Sequence, residues 1–158
     1  MHLQTSFVLL LVCFVTLTLG TEVKQCKGSK TKKLDPSEVS VSNCNKGTCK
    51  LQKKTTVEVS LKFAPAKDLK TLTTSVYANV LNVPLPFIGV DGASACDKLF
   101  KEDGTTPSSC PLKAGETYVY KNSFPILEFY PKLNLVVHWA LTHNDENIAC
   151  FELPAKIS

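Results

Sequence analysis

Along much of this chain, apolar and polar residues alternate one by one. Val57, Val59, Leu61 and Phe63 are separated by Glu58, Ser60 and Lys62. Leu133, Leu135, Val137, Trp139 and Leu141 alternate with Asn134, Val136, His138, Ala140 and Thr142. Val39 and Val41 flank Ser40, and Val76, Ala78 and Val80 share one face of a further run. Tyr118 and Tyr120 mark another strand, and Ile148 and Cys150 share a face near the end. Successive side chains of a strand point to opposite faces, so the pattern predicts half-buried strands. Turn-forming residues separate them at Asp35-Pro36, Pro65, Asp91-Gly92, Gly104, Gly115 and His143-Asn144-Asp145. No comparable stretch keeps the 3.6-residue period of a helix. About six or seven such strands predict an all-β sandwich, two antiparallel sheets packed face to face.

The first 20 residues do not fit that pattern. Residues 1–20 contain no charged side chain, and their apolar stretch runs from Phe7 to Leu19. That is the length of a signal-peptide core and too short to span a bilayer. Thr18 and Gly20 are small residues suited to cleavage after Gly20. Residues 1–20 are therefore expected to be a secretory leader and residues 21–158 a single domain, of a size that builds one core.

Charge narrows the range of partners. All 18 basic residues are Lys, and the formal net charge is +4. Nucleic-acid sites favour the forked guanidinium of Arg, so no nucleic-acid partner is expected. The charge is uneven: residues 21–70 hold 12 Lys against 5 acids, and residues 71–158 hold 6 Lys against 9 acids. Lys24, Lys27, Lys30, Lys32 and Lys33 form either a patch for anionic membranes or a solubilising, solvated segment.

Cys13 falls in the leader, which leaves Cys26, Cys44, Cys49, Cys96, Cys110 and Cys150. An even count in a small secreted domain reads as three disulfides, and six cysteines allow fifteen pairings. Locality favours Cys44 with Cys49 across a Lys-Gly turn step. A metal site is not expected, because no C-x-x-C occurs and His138 and His143 lie five apart on a strand pattern. Catalysis is not expected either. The chain has no G-x-S-x-G, no Gly-rich phosphate loop, and no pair of acids set apart from the rest.

Two segments stay apolar where loops should be polar: Val83-Pro84-Leu85-Pro86-Phe87-Ile88-Gly89-Val90 and Phe124-Pro125-Ile126-Leu127-Glu128-Phe129-Tyr130-Pro131. Prolines end the strand pattern in both. Apolar loops at the rim of a sandwich either cap the core or line the mouth of an apolar pocket.

With these residues the chain resembles the soluble Niemann–Pick type C sterol-carrier family, the ML lipid-recognition domain, and is similar to its arthropod members. The match is carried by Val83-Pro84-Leu85-Pro86-Phe87, Asp91-Gly92, Cys110-Pro111-Leu112, Tyr118-Val119-Tyr120, Tyr130-Pro131, Leu135-Val136-Val137-His138-Trp139 and Cys150-Phe151-Glu152-Leu153-Pro154. The resemblance implies a sandwich of about seven strands, immunoglobulin-like, with an apolar cavity between the sheets. It implies the pairs Cys26–Cys150, Cys44–Cys49 and Cys96–Cys110. It implies a mouth formed by Phe87, Ile126, Tyr130 and Pro131, and walls formed by Val57, Val59, Val76, Val80, Leu135, Val137 and Trp139. The function it implies is that of a monomeric carrier without cofactor or metal. Such a carrier holds one sterol, fatty acid or similar lipid and transfers it to membranes or to a membrane sterol transporter. It would work in the extracellular space or in the endosome or lysosome lumen. The alternatives within the family are carriage of fatty acids or semiochemicals in chemical communication, and innate-immune lipid recognition. Ile88-Gly89-Val90 replaces a more Pro-rich segment of the sterol carriers, and the stretch from Cys96 to Cys110 is longer than usual.

Overall fold

A computed structural model describes residues 20–45 and 47–158. The expected leader lies outside the described residues, apart from Gly20. Among the described residues, twelve strands form two sheets. The first sheet runs, from one edge to the other, β3 (Cys44–Asn45), β4 (Thr48–Leu51), β12 (Glu146–Ile157), β11 (Asn134–His143), β6 (Thr73–Val80) and β7 (Val83–Pro86), and β1 (Lys24–Gln25) pairs with β12. The second runs β2 (Val39–Val41), β5 (Thr56–Phe63), β10 (Tyr118–Pro125), β8 (Leu99–Lys101) and β9 (Pro107–Ser108). All pairings are antiparallel except β4 with β12, where Ala155 stands beside Cys49 in a parallel register.

The alternating runs form the long strands. In the second sheet β5 turns Val57, Val59, Leu61 and Phe63 inward, and β10 pairs Tyr118 with Phe63 and Phe124 with Val57. In the first, β11 turns Leu135, Val137, Trp139 and Leu141 inward against β6, where Trp139 stands opposite Val76. These inward faces make one continuous core.

Two strand readings change. β12 carries a bulge opposite Leu141 and Thr142 that sets Ile148 out of register. The inward face of β12 is therefore Ala149, Phe151, Leu153, Ala155 and Ile157, while Cys150 points to the outer face beside Cys26 and Ala140. The Pro-rich segment after Val80 is a strand and not a loop. Val83–Pro86 pairs with β6 in the register Ala78–Leu85 and Asn79–Pro84. Proline is tolerated there because β7 is an edge strand, whose outer side needs no donor.

The three disulfides pair as the resemblance implies: Cys26–Cys150, Cys44–Cys49 and Cys96–Cys110. Each joins segments of a single sheet. Cys26 follows β1 and Cys150 lies on β12; Cys44 and Cys49 lie on the paired β3 and β4; Cys96 and Cys110 flank β8 and β9. None spans the interior from sheet to sheet, in contrast to the inter-sheet disulfide of antibody domains. At one end of the sandwich, reciprocal backbone hydrogen bonds between Leu69 and Leu112 (3.0 and 2.8 Å) tie the segments that lead into β6 and β10. At the other end the β4–β5 connection bridges the sheets, with Lys53 N–H donating to the Ser158 carbonyl at 3.1 Å and Lys54 N–H to the Ile126 carbonyl at 2.8 Å.

Candidate functional site

The end opposite the Leu69–Leu112 tie carries a small apolar cavity of about 40 Å³. It lies where the β6–β7 hairpin, the segment after Phe87, the 126–133 connection and the last residue of β12 converge. Five of the residues implied by the resemblance line it: Val80, Phe87, Tyr130, Pro131 and Leu135. Ala78, Leu85, Pro86, Leu133 and Ile157 complete the lining. Leu85 and Pro86 belong to the apolar Pro-rich segment, and Ala78 and Leu133 belong to alternating runs. Ile157 lies beyond the last alternation read from the sequence, which placed the terminal strand around Cys150.

The other six implied residues lie deeper. Val57, Val59, Val76, Ile126, Val137 and Trp139 are buried in the core behind the cavity. The structure connects the two groups through a chain of aromatic rings. Tyr130 meets Phe87 edge-on at 5.7 Å, and Phe87 meets Phe124 at 5.7 Å. Phe124 packs on Trp139 at 5.4 Å, and Trp139 faces Tyr120 at 6.3 Å and Phe151 at 6.4 Å. The chain passes from the half-buried Tyr130 to the middle of the sandwich and crosses from sheet to sheet on the way. The Tyr130 hydroxyl accepts a hydrogen bond from the Ile88 backbone N–H at 3.0 Å, which pins the segment after Phe87 over the opening.

The polar groups along this path are few. Tyr120 is buried, and burial pushes its phenol up to about 12, so it keeps its proton. Its oxygen accepts a hydrogen bond from Asn122 Nδ2 at 2.9 Å. Trp139 Nε1 is buried and has no partner among the described residues. Most buried donors are paired, and an unpaired one costs about 1–3 kcal/mol.

The surface around the opening is apolar. Leu81, Val83, Leu85, Ile88 and Phe129 are all exposed, Leu81 to 93%. Leu81 and Asn82 form the two-residue turn between Val80 and Val83, and both have positive φ, 51° and 65°. A turn of that shape favours Asn and Gly, and a branched aliphatic residue is strained there. Lys53, Lys54 and Lys132 lie on the segments next to the opening, and Lys54 pairs with Glu128 at 2.7 Å. The earlier lysine run is elsewhere: Lys32 pairs with Glu38 at 2.9 Å and lies with Phe63 and Ile148 at the opposite end.

Two larger concavities are poorer candidates. One of about 730 Å³ is an open, polar trough on the outer face of the second sheet, lined by Ser40, Ser42, Glu58, Ser60 and Lys121 among others. One of about 260 Å³ lies beside Leu34 and Phe63 at the far end, rimmed by the paired Lys32 and Glu38. Neither opens onto the aromatic chain. Among the described residues, Cys26, His138 and Cys150 bring three metal-ligand atoms within 4.8 Å, but both sulfurs are bonded to one another. His138 there is a packing residue, stacked on Tyr77 at 4.4 Å.

The model of the ML domain matches residues 20–157. The chain belongs to the ML-domain family. This ML domain is 35% identical over 139 residues to the NPC intracellular cholesterol transporter 2 homolog a of Drosophila melanogaster, covering 86% of each chain. It is 32% identical over 149 residues to the ecdysteroid-regulated 16 kDa protein of Manduca sexta, covering 91% of this chain and 97% of that one. Among solved structures it is similar to a Niemann–Pick type C2 protein from the Japanese carpenter ant. That likeness has a TM-score of 0.69 and 27% identity, and covers 87% of this chain and 99% of the ant protein. The sandwich architecture of the ML domain is thus shared with a solved relative.

Proposed function

We propose that this ML domain carries one sterol-like or fatty-acid-like lipid between its sheets. The lipid enters at the cavity lined by Phe87, Tyr130 and Pro131. The observation that carries this reading is the apolar path from that opening, through Phe87 and Phe124, to Trp139. A cavity of about 40 Å³ holds no lipid, and ligand pockets run to roughly 300–1,000 Å³. Binding must therefore part the sheets. The ligand replaces side-chain packing with its own, at about 0.8 kcal/mol for each methylene removed from water. Disulfides confined to single sheets leave that motion free. In this reading Val57, Val59, Val76, Ile126 and Val137 become walls only in the loaded state. The names of the relatives, cholesterol transporters among them, support a sterol as one ligand.

Delivery uses the apolar rim. Leu81, Val83, Ile88 and Phe129 dock on a membrane or on the apolar mouth of a membrane protein, and Lys53 and Lys132 face anionic headgroups there. The protein works outside the cytosol, in the extracellular space or an endosomal lumen, where three disulfides persist. No residue needs a catalytic role. The test is displacement of a fluorescent sterol and of a fluorescent fatty acid from the purified protein, with native mass spectrometry for stoichiometry. One lipid per chain is expected. Absence of saturable binding of either probe would sink the reading.

A further inference from the structure

Trp139 and Tyr120 face each other from opposite sheets at the inner end of the aromatic chain, with ring centroids 6.3 Å apart. Both carry a hydrogen-bond donor that the protein does not use. The indole Nε1 has no partner among the described residues. The Tyr120 hydroxyl is engaged as an acceptor by Asn122 Nδ2. Asn122 is itself oriented, because its Oδ1 accepts the Ser123 N–H at 2.9 Å. With its oxygen occupied in this way, the Tyr120 O–H is left to donate, and among the described residues it has no acceptor. Buried donors in folded proteins are normally paired, and an isolated one calls for an explanation. Here two unused donors lie on the facing walls of one largely apolar interior, beside the Asn122 amide that engages the Tyr120 oxygen. Apart from the Asn122 amide that holds the Tyr120 oxygen, the groups that face the interior near them are hydrocarbon: Val57, Val59, Val76, Phe124 and Phe151.

We propose that Trp139 Nε1 and the Tyr120 hydroxyl form a two-donor subsite for an oxygen atom at the buried end of the bound lipid. The class of ligand selected is an elongated lipid with a hydroxyl, carbonyl or carboxyl oxygen at the end that enters first. A purely hydrocarbon leading end leaves both donors unpaired and gains nothing from them. An oxygen at that position accepts two hydrogen bonds in a medium of low dielectric, where such bonds are strong. This inference deepens the lipid-binding reading and rests on it.

The experiment uses matched lipid pairs that differ only in the oxygen-bearing group at the leading end. One pair is cholesterol and its analogue with a hydroxyl at the tip of the side chain. The other is palmitic acid and pentadecane. Affinities are measured by competition against a fluorescent probe for the unaltered protein, W139F and Y120F. Comparison within a pair cancels the cost of any void the substitution leaves. Each variant is expected to weaken the member with the leading-end oxygen by roughly tenfold relative to the partner that lacks it. Equal weakening of both members, or none, would overturn the subsite while leaving lipid binding intact. Binding of no lipid at all would overturn the lipid-binding reading and the subsite with it. A second measurement needs no variant that must fold. The chain has a single Trp, so the indole N–H vibration in ultraviolet resonance Raman spectra reports on Trp139 alone. It is expected to move from the free to the hydrogen-bonded position with the oxygen-bearing ligand only. A band that stays at the free position would refute the assignment.

Discussion

Phe87 does two jobs that pull its substitutions in different directions. It lines the opening, yet it is buried and edge-packed on Phe124 and Tyr130. A residue that only lined a preformed tunnel would be removable at little cost to folding. Phe87→Ala is instead expected to lower stability by about 2–3 kcal/mol, below the usual range for an enclosed Phe because water reaches the gap. It should also weaken lipid binding by the folded fraction, and thermal unfolding with probe binding on one preparation separates the two effects. Tyr130 gives a cleaner result. Tyr130→Phe keeps the ring and removes only the acceptor for Ile88 N–H. One such bond is worth about 0.5–1.5 kcal/mol, so lipid exchange should quicken by roughly 2- to 10-fold, read by stopped-flow, with little change in equilibrium affinity. Tyr120 gives a pH signature. Its ionisation is raised to about 12 by burial, above the value in an unfolded chain. The native state holds the proton more tightly, so this contribution is complete below pH 10 and is lost as pH rises through about 12. Ultraviolet titration should show a phenol that ionises only as the protein unfolds. Trp139 was legible in the sequence as an inward residue, but the absence of a partner for its nitrogen was not. That depends on what the other sheet brings opposite it, and alternation along one strand carries no such information.

At the scale of single elements, the β6–β7 hairpin stands out. Leu81 is almost fully exposed and lies in the left-handed region, where a two-residue turn favours Asn or Gly. A sequence selected for stability alone would not place Leu there. Leu81→Asn should therefore leave the stability unchanged or raise it by about 0.5–1 kcal/mol, while transfer of lipid to vesicles slows. Slower transfer with unchanged binding would assign the tip to docking; unchanged transfer would remove it from that role. The hairpin also shows where sequence reading stops. The alternating runs gave β5, β6, β10 and β11 with their correct inward faces, because a half-buried strand writes its own pattern. β7 left no alternation, since both its faces lie near the rim and all four of its residues are exposed. The face of β12 was misread at Ile148, where the bulge breaks the period of two. The short strands β1, β3 and β9 are two residues each, too brief for any period.

For the molecule as a whole, the distribution of charge and cross-links bears on how the proposed carrier would dock and open. The lysine run between Lys24 and Lys33 was readable as a membrane patch, but Lys32 lies at the end remote from the opening and is already paired. Neutralising Lys32 and Lys33 should leave vesicle transfer unaltered, whereas neutralising Lys53 and Lys132 should slow it on anionic vesicles and reduce its salt dependence, since surface attractions are screened within about 10 Å at 0.1 M salt. The same outcome for both sets would mean that charge acts without regard to place. The Cys26–Cys150 bond spans 124 residues, and in the chain-entropy model such a closure contributes on the order of 4–5 kcal/mol. Replacing both cysteines by Ser should lower the melting temperature while affinity for a lipid probe holds, because the bond joins strands of one sheet and does not set the spacing between sheets.

The packing of the interior has a consequence for the proposed carrier cycle. A carrier with a permanently hollow centre would return from delivery with an exposed or vacant apolar interior, prone to stick to whatever it met. Here Phe87, Phe124 and Trp139 pack on one another. In the proposed cycle a molecule packed in this way would travel back as a finished folded protein, ready for the next round. The work of prying those rings apart would then count against every loading event, and would keep the hold on the lipid loose enough for it to be given up at the destination.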